Sequence, residues 1–193
     1  MGPGSRIDGR SRPGEGGDGA ALAFDSPIGR LRVTATDQHV VGVKLNSPPF
    51  EGGGGGAALR LCERAQDEIL AYLDGELREF SVPFRLIGRS FLRRAMSALL
   101  DVAYSETITY GQLARRLNAP GSSRAIGAAC GANPLPLVVP CHRVLAAEGL
   151  GGFGGGLEMK RWLLELEATG KPPKPRRGGP SFDTVAGEQA RLF

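Results

Sequence analysis

The residues with the most chemistry in this 193-residue chain stand together at Pro140-Cys141-His142-Arg143-Val144. They follow an apolar run, Leu135 to Val139, and precede a glycine-rich loop, Gly149 to Gly156. A thiol reacts as its thiolate, and with an ordinary pKa of ~8.5 only a few per cent is ionised at neutral pH. His142 and Arg143 beside Cys141 each favour the anion, and a helix opening at Cys141 after the proline adds its dipole. Each unit of lowering needs about 1.4 kcal/mol, which such groups supply together. Adjacent Cys and His alone do not separate a nucleophile from a buried structural cysteine. The surrounding elements must decide.

Upstream, Ser90 to Val102 predicts a helix with Ser90 as N-cap and Phe91, Ala95, Leu99 and Val102 on one face. Thr107 to Leu117 predicts a helix of two to three turns with Leu113 and Leu117 inward, ended by Asn118-Ala119-Pro120-Gly121. Ser122 or Ser123 can then cap a second helix through Ala129 or beyond. Helix, Pro-Gly turn, capped helix is a helix-turn-helix pattern. Ala125, Gly127, Ala128, Ala129 and Gly131 leave this second helix little bulk, which suits either close interior packing or close approach to a DNA groove. Arg124 is its one long cationic side chain, of the kind that fills the gap left by an extruded base. Asn133-Pro134 marks a turn, and the Asn133 side chain can bond backbone on both sides and so fix Cys141. Downstream, Leu157 to Glu167 predicts a helix with Met159, Trp162, Leu163 and Leu166 on its apolar face, while Glu165 and Glu167 read as solvated.

The N-terminal half reads as a small α+β unit. Ala21–Phe24, Leu31–Ala35 and Val40–Leu45 are strand candidates, with turn chemistry at Ser26-Pro27-Ile28-Gly29 and near Asp37-Gln38. Pro48-Pro49 and Gly52–Gly56 form a flexible loop. Ala57–Leu73 is a helix with Leu61, Ala65, Ile69 and Leu73 as its core stripe and Gly75 as its stop, and Phe80–Leu86 is a further strand candidate. No catalytic cluster is visible in this half, and the lone His39 reads as a turn residue. Residues 1–20 read as disordered, and 171–193 as a flexible basic tail beginning Lys171-Pro172-Pro173-Lys174.

Composition bounds the function classes. An apolar fraction of 41% without a long apolar run excludes a transmembrane helix, and the polar N-terminus is not a secretory signal. Cys62, Cys130 and Cys141 are too widely spaced for a zinc site or a disulfide framework, which points to a reducing cytosol; no metal and no cofactor are expected. The net charge of +4 is a weak indicator, but its distribution is not. From Thr107 to Ala147 there is no Asp or Glu, while Arg115, Arg116, Arg124 and Arg143 fall there, which suits a polyanionic partner.

Ile108-Thr109-Tyr110, Ser123-Arg124-Ala125-Ile126-Gly127, Asn133-Pro134, Pro140-Cys141-His142-Arg143-Val144 and the run from Gly155-Gly156-Leu157 through Trp162-Leu163-Leu164 to Glu167 are collinear and spaced as in one family. The chain resembles the O6-alkylguanine-DNA alkyltransferases, or methylated-DNA–protein-cysteine methyltransferases, closely over Phe91–Glu167 and more loosely from Phe24-Asp25-Ser26-Pro27-Ile28-Gly29 onward. The resemblance implies an α+β protein: a small N-terminal ribonuclease-H-like α/β domain at 21–87, then a mostly helical domain at 88–170 with a winged-helix-like helix-turn-helix. It implies direct-reversal DNA repair, a single-turnover transfer of an alkyl group from O6-alkylguanine, with O4-alkylthymine a second candidate, to Cys141. His142 would take the thiol proton through a water, Glu167 would orient the imidazole, Asn133 would hold the turn and Tyr110 would donate toward the base. DNA contacts would come from Tyr110, Gly111, Ser123, Arg124 and Ala147, and guanine contacts from Val144, Phe153 and Gly154. Double-stranded DNA is then the partner, entered through its minor groove with little sequence preference, in a bacterial cytoplasm.

Departures from the family pattern are Phe153 where tyrosine is frequent, Gly154 for a side chain, Met96 for tryptophan and Ser105 for glycine. Gln189-Ala190-Arg191-Leu192-Phe193 is similar to the Gln-x-x-Leu-Phe peptide that docks on the bacterial sliding clamp, which would make Gln189, Leu192 and Phe193 a second contact. Three other readings compete. A lesion sensor would bind without transfer. A helix-turn-helix regulator would need more base-reading side chains than the second helix carries. A cysteine hydrolase normally has its Cys and His far apart.

Overall fold

The computed structural model describes residues 19–88 and 90–174. Three strands open the chain, β1 (Gly19–Phe24), β2 (Leu31–Thr36) and β3 (Val40–Lys44), in an antiparallel sheet of order β1-β2-β3. Period-two alternation sends Leu31, Val33 and Ala35 of β2 inward. The β1–β2 turn closes through Gly29, whose N–H reaches the Ser26 carbonyl at 3.0 Å and whose φ of 96° suits only glycine. Gly19 and Ala20, expected to be disordered, belong to β1.

Helix α1 (Gly56–Leu73) packs on β1 and β2. Its first turn is capped at a distance: Ala58 N–H donates to Asp37 Oδ1 of the β2–β3 turn at 3.0 Å. The buried stripe is Ala58, Cys62, Ala65, Ile69, Tyr72 and Leu73; of the expected residues Ala65, Ile69 and Leu73 belong to it, and only Leu61 gives way to Cys62, remaining half-buried beside it. Cys62 donates weakly to the Ala20 carbonyl at 3.4 Å. Gly53 also pairs with Ala21, so part of the glycine loop extends the sheet edge. Phe80–Leu86 is no strand; Phe84 makes only an isolated bridge to Val40, since Glu68 takes the Ser81 and Val82 N–H groups at 2.7 and 3.0 Å.

The second half is mostly helical: α2 (Ser90–Leu100), β4 (Ile108–Thr109), α3 (Tyr110–Arg116), α4 (Ser123–Gly131), a 3-10 turn at Cys141–Arg143, β5 (Val144–Leu145) and α5 (Leu157–Thr169). Ser90 is the first helical residue rather than a cap, and α2 stops before Val102. Met96 is only 1% exposed, so the smaller side chain is fully used in the core. Thr109 and Gln112 form a capping box that starts α3 at Tyr110, whereas the Ser122 side chain makes no such bond for α4. Beta strands β4 and β5 pair in parallel, Ile108 with Val144. The N-terminal sheet touches this half directly, since Val43 N–H donates to the Pro134 carbonyl at 2.8 Å. No helix among the described residues is long and apolar enough to cross a membrane.

Candidate active site

The apolar run carries the chain inward, with Leu135, Leu137, Val138 and Val139 all buried, and delivers Cys141 at 5% exposure. The helix expected to open there is a three-residue 3-10 turn, too short to supply a useful dipole. Asn133 holds the thiol: its Nδ2 donates to Cys141 Sγ at 3.1 Å and to the Val139 carbonyl at 2.9 Å, while its Oδ1 accepts from Leu135 N–H at 3.0 Å. Burial pushes the Cys141 thiol up; the Asn133 hydrogen bond and the charge of Lys160 oppose that without overcoming it. At rest Cys141 is therefore a thiol, not the thiolate that its sequence neighbours suggest. Burial raises the other two thiols as well, Cys62 to about 11 and Cys130 to about 12. What sets Cys141 apart is its partners.

His142 and Arg143 turn away from the sulfur and meet at Glu167 of α5. His142 Nε2 lies 2.8 Å from Glu167 Oε1, and Arg143 donates to the same carboxylate from Nε at 3.0 Å and Nη2 at 2.9 Å. Ser105 N–H donates to Oε2 at 3.1 Å. These donors, against the opposing pull of burial, hold the Glu167 carboxyl down at about 2. Burial pushes the His142 pKa below its ordinary 6.5, so the imidazole is neutral at pH 7. A carboxylate only accepts, so Nε2 carries the ring proton and Nδ1 is bare. Nδ1 is buried and has no hydrogen-bond partner among the described residues. The solvated reading of Glu167 is overturned, whereas Glu165 is exposed. Arg143 is likewise a buried ion-pair partner rather than part of a basic face.

Two residues of this cluster were not visible as such in the sequence. Tyr72, from α1, donates its O–H to Glu167 Oε1 at 2.6 Å and lies 3.3 Å from His142 Nε2. Lys160, fully buried on α5, donates from Nζ to the carbonyls of Val144 at 2.6 Å and Gly152 at 3.1 Å, tying the glycine loop to β5. Both sit inside apolar helical stripes, where a polar head must find a partner, and that is the signal that could have found them.

The remaining predicted residues line the mouth or face out. Tyr110, at the start of α3, donates weakly to the Gly152 carbonyl at 3.4 Å. Its ring passes so close to Gly151, a residue at φ 70°, that a Cβ there would lie 2.8 Å from it. Phe153 meets the His142 ring edge-on at 6.4 Å. A Cβ on Gly154 would meet nothing within 4 Å, so its glycine is not forced by packing. The Val144 carbonyl is occupied by Lys160. Gly111 and Ser123 are half-buried where α3 meets α4, and Arg115, Arg116, Arg124, Ala125, Ala128 and Ala147 are exposed. The structure thus joins Cys141 to Asn133 and His142 to Glu167, while Arg124 and Ala147 stand apart from these clusters. The tail peptide Gln189–Phe193 lies outside the described residues.

Comparison with known proteins bears directly on this geometry. Residues 90–169 match the family model of the 6-O-methylguanine DNA methyltransferase DNA-binding domain. The methylated-DNA–protein-cysteine methyltransferase of Mycolicibacterium paratuberculosis is 41% identical over 151 residues, 77% of this chain and 92% of that protein. That of Haemophilus influenzae is 36% identical over 149 residues, 75% of this chain and 83% of that protein. Among solved structures, Mycobacterium tuberculosis OGT in complex with DNA is similar with a TM-score of 0.70 at 38% identity, over 79% of this chain and 94% of that one. The segment from α2 to α5 that carries Asn133, Cys141, His142 and Glu167 is the segment the family model spans, and the chain belongs to the methylated-DNA–protein-cysteine methyltransferase family.

Proposed function

We propose that this chain repairs DNA by moving the alkyl group of O6-alkylguanine to its own Cys141. The Cys141 sulfur attacks the alkyl carbon, the S–C bond forms as the C–O6 bond breaks, and guanine leaves. The thiol proton goes to the bare Nδ1 of His142, directly or through a bridging water, and the ionised Glu167 stabilises the imidazolium. Guanine regains a proton, with Tyr110 donating toward the base and being reprotonated in turn, so the thiol proton ends on the product. The protein stays S-alkylated, which makes it single-turnover. The observation that carries this reading is the pairing of a thiol held by Asn133 with a neutral His142 whose Nε2 is engaged by Glu167 and whose Nδ1 has no partner among the described residues. The test is intact-protein mass after mixing with excess duplex carrying O6-methylguanine. A gain of one methyl, absent in Cys141→Ala, is the expected result; lesion-selective binding without any gain would make the protein a sensor.

The DNA side follows from α3 and α4. The exposed small residues of α4 let it enter a minor groove, where readout is nearly sequence-blind. Arg124 fills the stack, Tyr110, Gly111, Ser123 and Ala147 contact the strand, and Val144, Phe153 and Gly154 receive the base. The three-stranded sheet under α1 supports a ribonuclease-H-like reading for 21–87, and α3–α4 followed by β5 supports a winged-helix-like one for 88–170. Bacterial cytoplasm is the compartment that fits this work. The Gln189, Leu192 and Phe193 peptide would add sliding-clamp docking; deleting 189–193 should abolish clamp binding and spare methyl transfer, and an intact protein with no clamp affinity would end that idea.

A further inference from the structure

We infer that Tyr72, in the N-terminal half, is a positioning residue for alkyl transfer, its hydroxyl fixing His142 with the proton on Nε2 so that Nδ1 is free to act as base. The inference rests on the reading of Cys141, His142 and Glu167 as the reacting set. Tyr72 is fully buried, its O–H 2.6 Å from Glu167 Oε1 and its oxygen 3.3 Å from His142 Nε2. Glu167 is ionised and has no proton to give, so the phenol must donate to it. Once that proton is spent, the phenol oxygen presents only lone pairs to Nε2. Nε2 then faces two acceptors, and a bare nitrogen there would set lone pair against lone pair. The proton is held at Nε2, and a neutral imidazole has no second one for Nδ1.

The hydroxyl is itself held in place. The Tyr72 ring meets Tyr104 edge-on at 6.2 Å and Phe80 at 5.4 Å. Arg143 and Ser105 occupy the rest of the carboxylate, so Glu167 cannot turn to replace the phenol. The titratable or charged groups around His142 are Glu167 and Lys160 from α5, Tyr72 from α1, and Arg143 and Cys141 from its own turn. Burial and its bond to Glu167 place the Tyr72 phenol well above its ordinary pKa, so it remains a donor throughout the working range.

The experiment is single-turnover methyl transfer from O6-methylguanine duplex, read by intact mass across neutral pH, for wild type, Tyr72→Phe, Glu167→Gln, the double variant and Cys141→Ala. Tyr72→Phe should still take up one methyl but about 10-fold more slowly, as for the loss of an outer partner of a working histidine. Its acid limb should move to higher pH, because Glu167 without the phenol donor presents more charge to the imidazole and favours its protonation. Adding Tyr72→Phe to Glu167→Gln should cost little more. A wild-type rate and acid limb in Tyr72→Phe, with Cys141→Ala inert, would overturn the role of Tyr72 alone. A methyl gained by Cys141→Ala would overturn the reacting set instead. Should Tyr72→Phe melt early, imidazole nitrogen shifts of the wild type decide: a proton on Nδ1 rather than Nε2 refutes the proposal.

Discussion

Asn133 and Cys141 are joined by an amide-to-sulfur hydrogen bond of 3.1 Å, which pulls this buried thiol toward its anion. The same amide donates to Val139, so the group that activates the sulfur also fixes the turn that carries it. Asn133→Ala should raise the thiol pKa further and slow methyl transfer about 10- to 100-fold at neutral pH, in line with losing an outer partner of a working group. Part of that loss should return as pH rises, because hydroxide then supplies the thiolate. Freeing the Val139 carbonyl should lower stability by about 1 kcal/mol. Single-turnover rates against pH, with thermal melts, separate the two. A loss that stays constant at every pH would mean that Asn133 acts only on the fold.

Glu167 makes the structure acid-sensitive. Its carboxyl sits at about 2 in the fold against an ordinary 4.5, so the folded state favours the anion. That contribution is complete above pH 4.5 and is lost as pH falls toward about 2; the difference is on the order of 3 kcal/mol. His142 acts in the same direction, since its folded pKa lies below 6.5 and stability falls as pH drops under that value. Glu167→Gln should flatten the acid denaturation curve between pH 4.5 and 2 while lowering stability at pH 7, because Arg143 is left buried without its counter-charge. Urea unfolding at a series of pH values checks this; an unchanged acid slope would remove Glu167 as its source.

Much of this site could be read from the chain. Periodicity placed α1, α4 and α5 within a residue or two, whereas α3 begins three residues after the expected Thr107, because Thr107 is left outside and Ile108-Thr109 pair with β5. The errors share a cause: local sequence does not say where a side chain goes when its partner is distant. His142 and Arg143 adjoin Cys141 in the chain but are drawn off by Glu167, 25 and 24 residues away. Tyr72 joins the same carboxylate from 95 residues away. Phe80–Leu86 has strand composition, yet Glu68 consumes two N–H groups that a ladder would need. Lys160 looks like a solvated charge until the Val144 and Gly152 carbonyls that accept from it are known.

Ser105 occupies the left-handed region at φ 66°, where a Cβ is strained, and what the site takes from it is its backbone N–H. The left-handed conformation costs a residue with a Cβ roughly 1–2 kcal/mol, part of which glycine returns through its greater freedom when unfolded. Ser105→Gly should therefore stabilise the protein by about 1 kcal/mol, a rise of roughly 2–4 °C in Tm for a chain of this size. Methyl transfer should be unchanged, since the N–H to Glu167 is retained. A lower Tm would show that the serine side chain contributes more than its backbone strain costs.

Arg124 stands exposed at the start of α4, among residues too small to fill a gap in a base stack. Extruding a base from a duplex costs a few kcal/mol, and a side chain in the vacated place offsets part of it. From a single strand there is no partner base to separate, and that offset has little to act on. Arg124→Ala should thus slow transfer from O6-methylguanine in a duplex about 10-fold, equivalent to ~1.4 kcal/mol, and affect a single-stranded oligonucleotide much less. Because the residue is exposed, Tm should stay within error. Arg124→Lys should fall between the two, keeping the charge but losing the planar head that stacks between bases. Equal losses on duplex and single strand would instead assign Arg124 to general attraction for phosphate, and a steep salt dependence shared with Arg115 and Arg116 would accompany that result.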